Sequence, residues 1–379
     1  MQADDHVCLC FHVSKRKIVN FCLRERPEHA SQVSDCLSAG TGCGWCIPFL
    51  KALHSQVQAG KPEPDLPVSP EEYANRRATY RGSGQPKNTF QPPRYHGLAM
   101  KPQALILRAA GTNCDRELAH AFELAGASSV TIHLNHLIED PKPLEQADLI
   151  GFPGGFSYGD DIAAGRIFAN RLRHKLLDPL RAAIARGVPI IGVCNGFQVL
   201  VKLGLLPDPA AAPRQTVTLA DNTSGRFIDQ WVSLTPAADS VCIWTRGLPV
   251  TFDVPIAHGE GRFVPANDQV LADLHQRHQI ALRYATNSGA DPGAGANFPG
   301  NPNGSVDDIA GICDPSGLVL GLMPHPERHA HATQHPHWTR RPAEEIANLS
   351  QTPAGLQFFV NAVEHVKAST PQAVAPAPL

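Results

Sequence analysis

The sequence predicts an α/β protein, built on a doubly wound and mostly parallel sheet and preceded by a small cysteine-rich helical module. Three observations carry that expectation. From residue 100 onward, apolar runs of strand length alternate with helix-like runs, the pattern of parallel strands joined by crossover helices. The apolar run 188–193 enters Gly192-Val193-Cys194-Asn195-Gly196-Phe197-Gln198 and continues into the helix-like run 199–204, a strand-turn-helix bend with a cysteine at its tip. Six of the ten cysteines fall within the first 46 residues, ahead of a stretch rich in proline and glycine.

A chain of 379 residues has room for two or more domains and a sizeable core. Lys plus Arg number 33 against 35 Asp plus Glu, so a net charge of −2 gives no electrostatic case for nucleic acid or an anionic membrane. No apolar run approaches the ~18 residues of a membrane span, and Met1-Gln2-Ala3-Asp4-Asp5 is acidic where a secretion signal is basic. The expectation is a cytoplasmic protein with no nucleic-acid or membrane partner. In a reducing compartment, clustered cysteines point to metal or redox chemistry more than to disulfides.

Residues 1–57 form the first unit. Cys8-Leu9-Cys10 stands far from Cys43-Gly44-Trp45-Cys46, and the second pair lies in a glycine-rich loop able to wrap an inorganic centre. Ser14 is placed to cap a helix carrying Ile18, Val19, Phe21 and Leu23, and residues 47–57 read as another helix. Four thiolates on two loops make a metal cage that suits zinc as well as iron. Cys22 and Cys36 fall outside the pattern and read as a core and a loop cysteine. Residues 58–100 read as a linker, interrupted by Ser69-Pro70-Glu71-Glu72, a capping box that predicts a short helix to about residue 80. Tyr73, Tyr80 and Tyr95 are its candidates for partner contact.

Residues 101–369 form the α/β domain. Strands are expected at 104–109, 130–134 and 148–152, with a helix at 115–125, and the third strand runs into Pro153-Gly154-Gly155-Phe156-Ser157-Tyr158-Gly159-Asp160. Short strands follow at 215–220, 227–234, 241–245 and 250–256, and a last one at 318–323. Ligands of such sheets gather at the carboxyl ends of the strands, where both the Gly-Gly loop and the cysteine turn lie. A helix amino terminus favours the thiolate of Cys194. Attack by that sulfur on an amide generates a tetrahedral oxyanion, for which the backbone amides of Asn195 and Gly155 are the expected donors. The 318–323 strand ends in Pro324-His325-Pro326-Glu327-Arg328, which supplies a histidine to carry protons and a carboxylate to fix its tautomer. His329, His331, His335 and His337 read as a polar loop, and the tail 370–379 as disordered.

Gly-x-Cys-x-Gly-x-Gln with a distant His-x-Glu resembles the class I glutamine amidotransferases, which form a γ-glutamyl thioester and free ammonia. Gly111-Thr112-Asn113-Cys114-Asp115, the Gly-Gly loop, the cysteine turn, His258-Gly259-Glu260-Gly261-Arg262, Asn301-Pro302-Asn303-Gly304-Ser305 and Met323-Pro324-His325-Pro326-Glu327-Arg328 together resemble the glutaminase-subunit family of phosphoribosylformylglycinamidine synthase. The resemblance implies Cys194 as nucleophile, His325 as base and acid, Glu327 as its orienter and Gln198 as a residue binding L-glutamine. It also implies partners, an ATP-using large subunit and a small accessory subunit, with ATP and Mg confined to the partner. The chain departs from that family at Asp161-Ile162-Ala163-Ala164-Gly165 and in the glycine-rich run 287–297. Cys-x-Cys followed by Cys-x-x-Cys resembles the bacterioferritin-associated ferredoxin family, which implies a 2Fe-2S cluster on Cys8, Cys10, Cys43 and Cys46, with zinc as the alternative. Two function classes follow: a glutaminase feeding ammonia to purine synthesis, or a redox-sensing or electron-transfer iron-sulfur protein that uses the amidotransferase domain as a docking platform.

Overall fold

The structure, a computed structural model, describes residues 1–27, 29–37, 39–40, 45–61, 64–66, 68–82, 101–211, 215–285, 300–340 and 352–369. Cys43, Tyr95, the run 287–297 and the tail 370–379 lie outside the described residues. The chain divides into two compact units, Met1–Leu98 and Ala99–Leu379.

In the first unit, β1 (His6–Cys8) pairs antiparallel with β2 (Val13–Ser14). Ser14 caps α1 (Lys15–Glu25) by accepting from Lys17 N at 3.4 Å, which satisfies one of the amides a helix start leaves open. The second helix, α2 (Ile47–Gln58), begins directly after Cys46 with Pro48 in its first turn. Val7, Ile18, Val33, Leu50 and Leu53 pack into one core together with Cys8, Cys22, Cys36 and Cys46. Cys36, read as a loop cysteine, is therefore buried. The helix expected after Ser69 is α3 (Pro70–Gly82), with Ser69 Oγ accepting from Glu72 N at 3.1 Å. It docks on the module: Tyr73 is 1 % exposed, its hydroxyl donates to Val7 O at 2.6 Å, and its ring meets Phe49 edge-on with centroids 4.8 Å apart. A tyrosine read as open to partners is thus committed within its own unit.

The second unit opens with β3 (Gln103–Arg108), α4 (Asp115–Leu124), β4 (Ser128–His133), α5 (Leu134–Glu139), α6 (Lys142–Gln146), β5 (Leu149–Phe152), α7 (Arg166–Lys175), α8 (Leu177–Ala185), β6 (Ile190–Val193) and α9 (Asn195–Leu203). It continues with β7 (Val217–Ala220), β8 (Ile228–Pro236), β9 (Phe252–His258), β10 (Arg262–Pro265), α10 (Asp268–Gln276), β11 (Ile280–Tyr284), β12 (Ile309–Cys313), β13 (Val319–Leu322) and α11 (Ala354–Ser369). Among the described residues, nine strands make one sheet in the order β4-β3-β5-β6-β13-β12-β11-β8-β9. From β4 to β13 the strands are parallel; beyond β13 each neighbour is antiparallel.

Helices cover both faces of the parallel half, because adjacent strand residues point to opposite sides. On β5, a Cβ added to Gly151 would meet Leu118 and Phe122 of α4, whereas Phe152 meets Phe168 of α7. Phe122 in turn packs on Phe359 of α11, with ring centroids 5.0 Å apart. The expected strand at 241–245 is instead a 3₁₀ turn, Ile243–Thr245. Ile243 N donates to Gly317 O at 3.1 Å and Trp244 Nε1 to Leu318 O at 2.9 Å, so this apolar run closes over the approach to β13 rather than joining the sheet.

One of the tightest approaches in this half is between α9 and β5, where a Cβ on Gly196 would lie 2.0 Å from Phe152 O. Gly196→Ala is expected to lower stability by at least ~2 kcal/mol, since overpacking against backbone has no rotamer to relieve it. Denaturant titration checks this, and an unchanged midpoint would show that α9 can lift off the sheet.

Candidate active site

β6 and β13 are parallel neighbours with Val193 opposite Leu322. Each delivers a functional side chain just past that last pair. Cys194 N donates to Leu322 O at 2.8 Å, after which the chain turns with φ 51 and ψ −106 at Cys194 and enters α9. Such a conformation is strained for a residue with a side chain. Cys194 is buried, and its thiol contacts Ala257 O at 3.6 Å.

His325 follows β13 and is 1 % exposed; its Nδ1 lies 2.6 Å from Glu327 Oε1. Burial opposes a charge on this imidazole, but the Glu327 carboxylate and the nearby sulfurs of Cys194 and Cys114 hold its pKa well above the ordinary histidine value. His325 Nε2 has no partner in hydrogen-bonding geometry. The Gly-Gly turn comes up against this group: a Cβ on Gly154 would lie 2.7 Å from His325 Cε1, 3.2 Å from Cys114 Sγ and 3.5 Å from Cys194 Cβ. Phe156 N→Gly111 O and Cys114 N→Gly154 O bonds, at 3.0 and 3.3 Å, hold the turn against the loop after β3. Gly155 itself has φ +136 and no space for a side chain, with Asn113 N 2.7 Å from its would-be Cβ.

Asn195 does more than follow Cys194. Its Oδ1 accepts from Ser157 N at 3.3 Å, and its Nδ2 donates to Asp160 Oδ1 at 3.2 Å and to Gln198 Oε1 at 3.0 Å. One side chain therefore ties the Gly-Gly loop to the cysteine turn. Gln198, expected to bind substrate, also donates to Glu260 O at 2.5 Å. Each end of its amide makes one bond within the protein, which fixes the side chain and leaves one N–H and one oxygen lone pair for a ligand. Glu260 reaches the 161–165 loop through Ala164 N→Oε2 at 3.4 Å.

Two residues were missed as individual actors although the motifs containing them stood out. Cys114 Sγ accepts from Arg328 Nη2 at 2.9 Å and sits 3.2 Å from Asn113 Oδ1, which places a second thiol in the pocket. His258 is 3 % exposed, with Nδ1 3.1 Å from Asn222 Oδ1 and Nε2 buried without a partner. Burial, and then the proximity of His325, push its pKa down to about 4. The expected polar histidine loop is partly interior instead: His329 Nδ1 lies 2.8 Å from Asp253 O, His335 Nε2 3.2 Å from Asp253 Oδ2, and both rings pack on Trp231. These bonds latch the loop to β9.

In the first unit, Cys8 ends β1, Cys10 follows two residues later and Cys46 precedes α2. All three belong to one packed cluster, and Arg77 Nη2 donates to Cys10 Sγ at 3.2 Å. A guanidinium beside the Cys10 sulfur favours the thiolate, the form that ligates a metal. Burial pushes the thiols of Cys22 and Cys36 up, which keeps them protonated and sets them apart.

Residues 101–366 match the CobB/CobQ-like glutamine amidotransferase domain family, and residues 6–54 match the BFD-like 2Fe-2S binding domain family. The chain is 41% identical over 273 residues to the PurQ subunit of phosphoribosylformylglycinamidine synthase from Methanococcus maripaludis, covering 70% of this chain and 99% of that one. It is 43% identical over 264 residues to the same subunit from Dehalococcoides mccartyi, covering 70% and 97%. The solved structure of PurLQS from Thermotoga maritima aligns with a TM-score of 0.52 at 31% identity, covering 70% of this chain and 99% of that chain. Among the described residues, no helix is long and apolar enough to cross a membrane.

A histidine held neutral by burial destabilises the fold in acid. Below an ordinary value of 6.5 the unfolded chain takes up a proton that the folded His258 refuses until about pH 4, so stability is lost across that window, by up to ~3 kcal/mol. His258→Gln, which keeps an amide to face Asn222, is expected to flatten that loss in denaturant titrations between pH 6.5 and 4. An equally steep acid limb in the variant would show that His258 is not the group responsible.

Proposed function

Since the chain belongs to the family of glutaminase subunits of phosphoribosylformylglycinamidine synthase, within the glutamine amidotransferases, we propose that it frees ammonia from L-glutamine through a Cys194 thioester. That ammonia serves the conversion of formylglycinamide ribonucleotide to formylglycinamidine ribonucleotide. One observation supports the reading above the others: adjacent parallel strands end at a strained cysteine and at a buried histidine-carboxylate pair.

His325 takes the Cys194 proton as the sulfur attacks the γ-carboxamide carbon. The amides of Gly155 and Asn195 receive the oxyanion. Collapse of the intermediate breaks the C–N bond, His325 returns the proton to the departing nitrogen, and ammonia leaves a γ-glutamyl thioester. Water, deprotonated by His325, then releases glutamate. Glu327 holds Nδ1–H throughout, so that Nε2 is the nitrogen exchanging protons. Gln198 acts by fixing the Glu260 carbonyl and, through its remaining N–H, by meeting the substrate.

We place the amidine-forming step on separate subunits, an ATP-using large subunit with its Mg and a small accessory subunit. The sequence holds no Gly-x-x-x-x-Gly-Lys-Ser/Thr phosphate loop, and the similar Thermotoga maritima structure is of PurLQS. In the first unit, Cys8, Cys10, Cys43 and Cys46 would hold a 2Fe-2S cluster, which supplies one-electron exchange when bound; Cys43 falls outside the described residues.

With the synthase subunits present, Cys194→Ala is expected to cut glutamine-dependent activity by at least ~10³-fold while ammonia-dependent activity survives. Glutamate release at the original rate would remove Cys194 from its role. For the cluster, Cys22→Ser and Cys36→Ser should leave visible absorption of anoxically purified protein intact, and substitution of any of the four proposed ligands should bleach it. A colourless protein loaded with one zinc would overturn the iron-sulfur assignment.

A further inference from the structure

Cys114 gives the catalytic pocket a donor set that thioester chemistry does not use. One donor atom each from Cys114, His325 and Glu327 lie within 4.8 Å of one another, all buried. Cys194 borders the same point through its Cβ, which with Cys114 Sγ and His325 Cε1 lies within 3.5 Å of the position a Cβ on Gly154 would take; its sulfur, now at Ala257 O, stands outside the three-donor group and would swing to it on binding. Two buried polar atoms there, His325 Nε2 and Glu327 Oε2, have no hydrogen-bonding partner, and their residues are only 1 % and 3 % exposed. A histidine whose Nδ1 is held by a carboxylate while Nε2 stays uncommitted is the arrangement in which imidazole binds a metal.

We propose that this pocket is an inhibitory site for a thiophilic divalent cation, zinc above all, ligated by Cys194 Sγ, Cys114 Sγ and His325 Nε2 with Glu327 holding the far side of the ring. Zinc takes sulfur at about 2.3 Å and imidazole nitrogen at about 2.0–2.1 Å, and three protein ligands with one open position make a stable site. Each thiol that binds gives its proton to solvent, and His325 binds as neutral imidazole. Charge closes as well: two thiolates and the Glu327 carboxylate are balanced by the divalent ion and the Arg328 guanidinium, which lies 2.9 Å from Cys114 Sγ. A cysteine-histidine pair alone offers two ligands. Cys114 adds the third, and the bound ion removes from Cys194 the lone pair that would attack glutamine. The inhibition rests on the proposed role of Cys194; the metal affinity does not.

The test uses the full-length chain with zinc chloride as probe. Iodoacetamide labelling of Cys194, read on its peptide by mass spectrometry, is measured against zinc concentration and again after chelator; glutamate release with the synthase subunits is measured in parallel. Zinc is expected to protect Cys194 reversibly, and Cys114→Ser to raise the concentration for half protection at least tenfold. Should Cys114→Ser fold poorly, Cys114→Ala and cobalt binding replace it, with a thiolate-to-cobalt absorption band in the wild type that weakens in Cys114→Ala. Equal protection in wild type and Cys114 variants, or zinc bound while Cys194 is still alkylated at full rate, overturns the proposal. Protection of Cys194 in a chain that releases no glutamate with its synthase subunits would sink the hydrolysis reading and leave the metal site standing.

Discussion

The constraint on which the rest of the second unit depends is the left-handed turn at Cys194, φ 51 and ψ −106. Such a backbone costs on the order of 1–3 kcal/mol and persists only where its surroundings over-determine it. Here they do so from both sides. Before the turn, β6 is fully buried between β5 and β13, and the bond from Cys194 N to Leu322 O continues its ladder. After it, α9 is pressed onto the sheet where side chains are missing: added Cβ atoms on Gly192 and Gly321 would collide with Leu200 and Phe197 at 2.5 and 2.1 Å. With strand and helix both fixed, the single residue between them has no relaxed alternative. The energy of the turn is supplied by apolar packing, and its product is a sulfur held at the end of the strand.

Burial alone does not make a cysteine chemical. Cys22 and Cys36 share a core, and burial raises both thiols. Cys313 is likewise pushed upward, by its hydrogen bond with Cys242 and then by burial. These thiols stay protonated and behave as small apolar groups. Cys194 and Cys114 differ in their neighbours, since His325 and Arg328 stand beside them. In the first unit the same distinction falls between Cys10, which faces Arg77, and the core pair. Position relative to a cation or an imidazole, not burial, is what separates the candidate reactive sulfurs from the core ones.

Much of this was legible in the sequence. The parallel half announced itself because a buried strand in a doubly wound sheet is a short apolar run, and β5, β6 and β13 are that at every position. The placement of Cys194 and of the His325–Glu327 pair was legible because each follows such a run. The antiparallel flank was harder. Its strands alternate, as β9 does with every second residue buried, and a three-residue apolar turn such as Ile243–Thr245 looks the same from sequence as a strand. The side-chain ties were not legible at all. Nothing in the order of residues says that Asn195 holds Ser157 and Asp160, that Arg328 reaches Cys114 across 214 positions, or that Tyr73 turns inward.

The antiparallel flank supplies what the chemistry needs from a wall, namely neutrality. Asn222 accepts from Gly261 N and donates to His258 O at 2.8 Å, and Asn303 joins Gly261 O to the Tyr284 hydroxyl at 2.9 and 3.2 Å. Within this network burial pushes His258 down to about 4 and Tyr284 upward, so both are uncharged at neutral pH. His325, equally buried, moves the other way because Glu327 stands against it. Two histidines close enough to feel each other are thus driven in opposite directions, and when environments push a pair of titratable groups apart, the split assigns their roles. In the proposed mechanism, an imidazolium at His258 would repel the proton that His325 holds between attack and departure of the nitrogen. Keeping His258 neutral leaves His325 as the one histidine of the pair able to carry a proton back and forth.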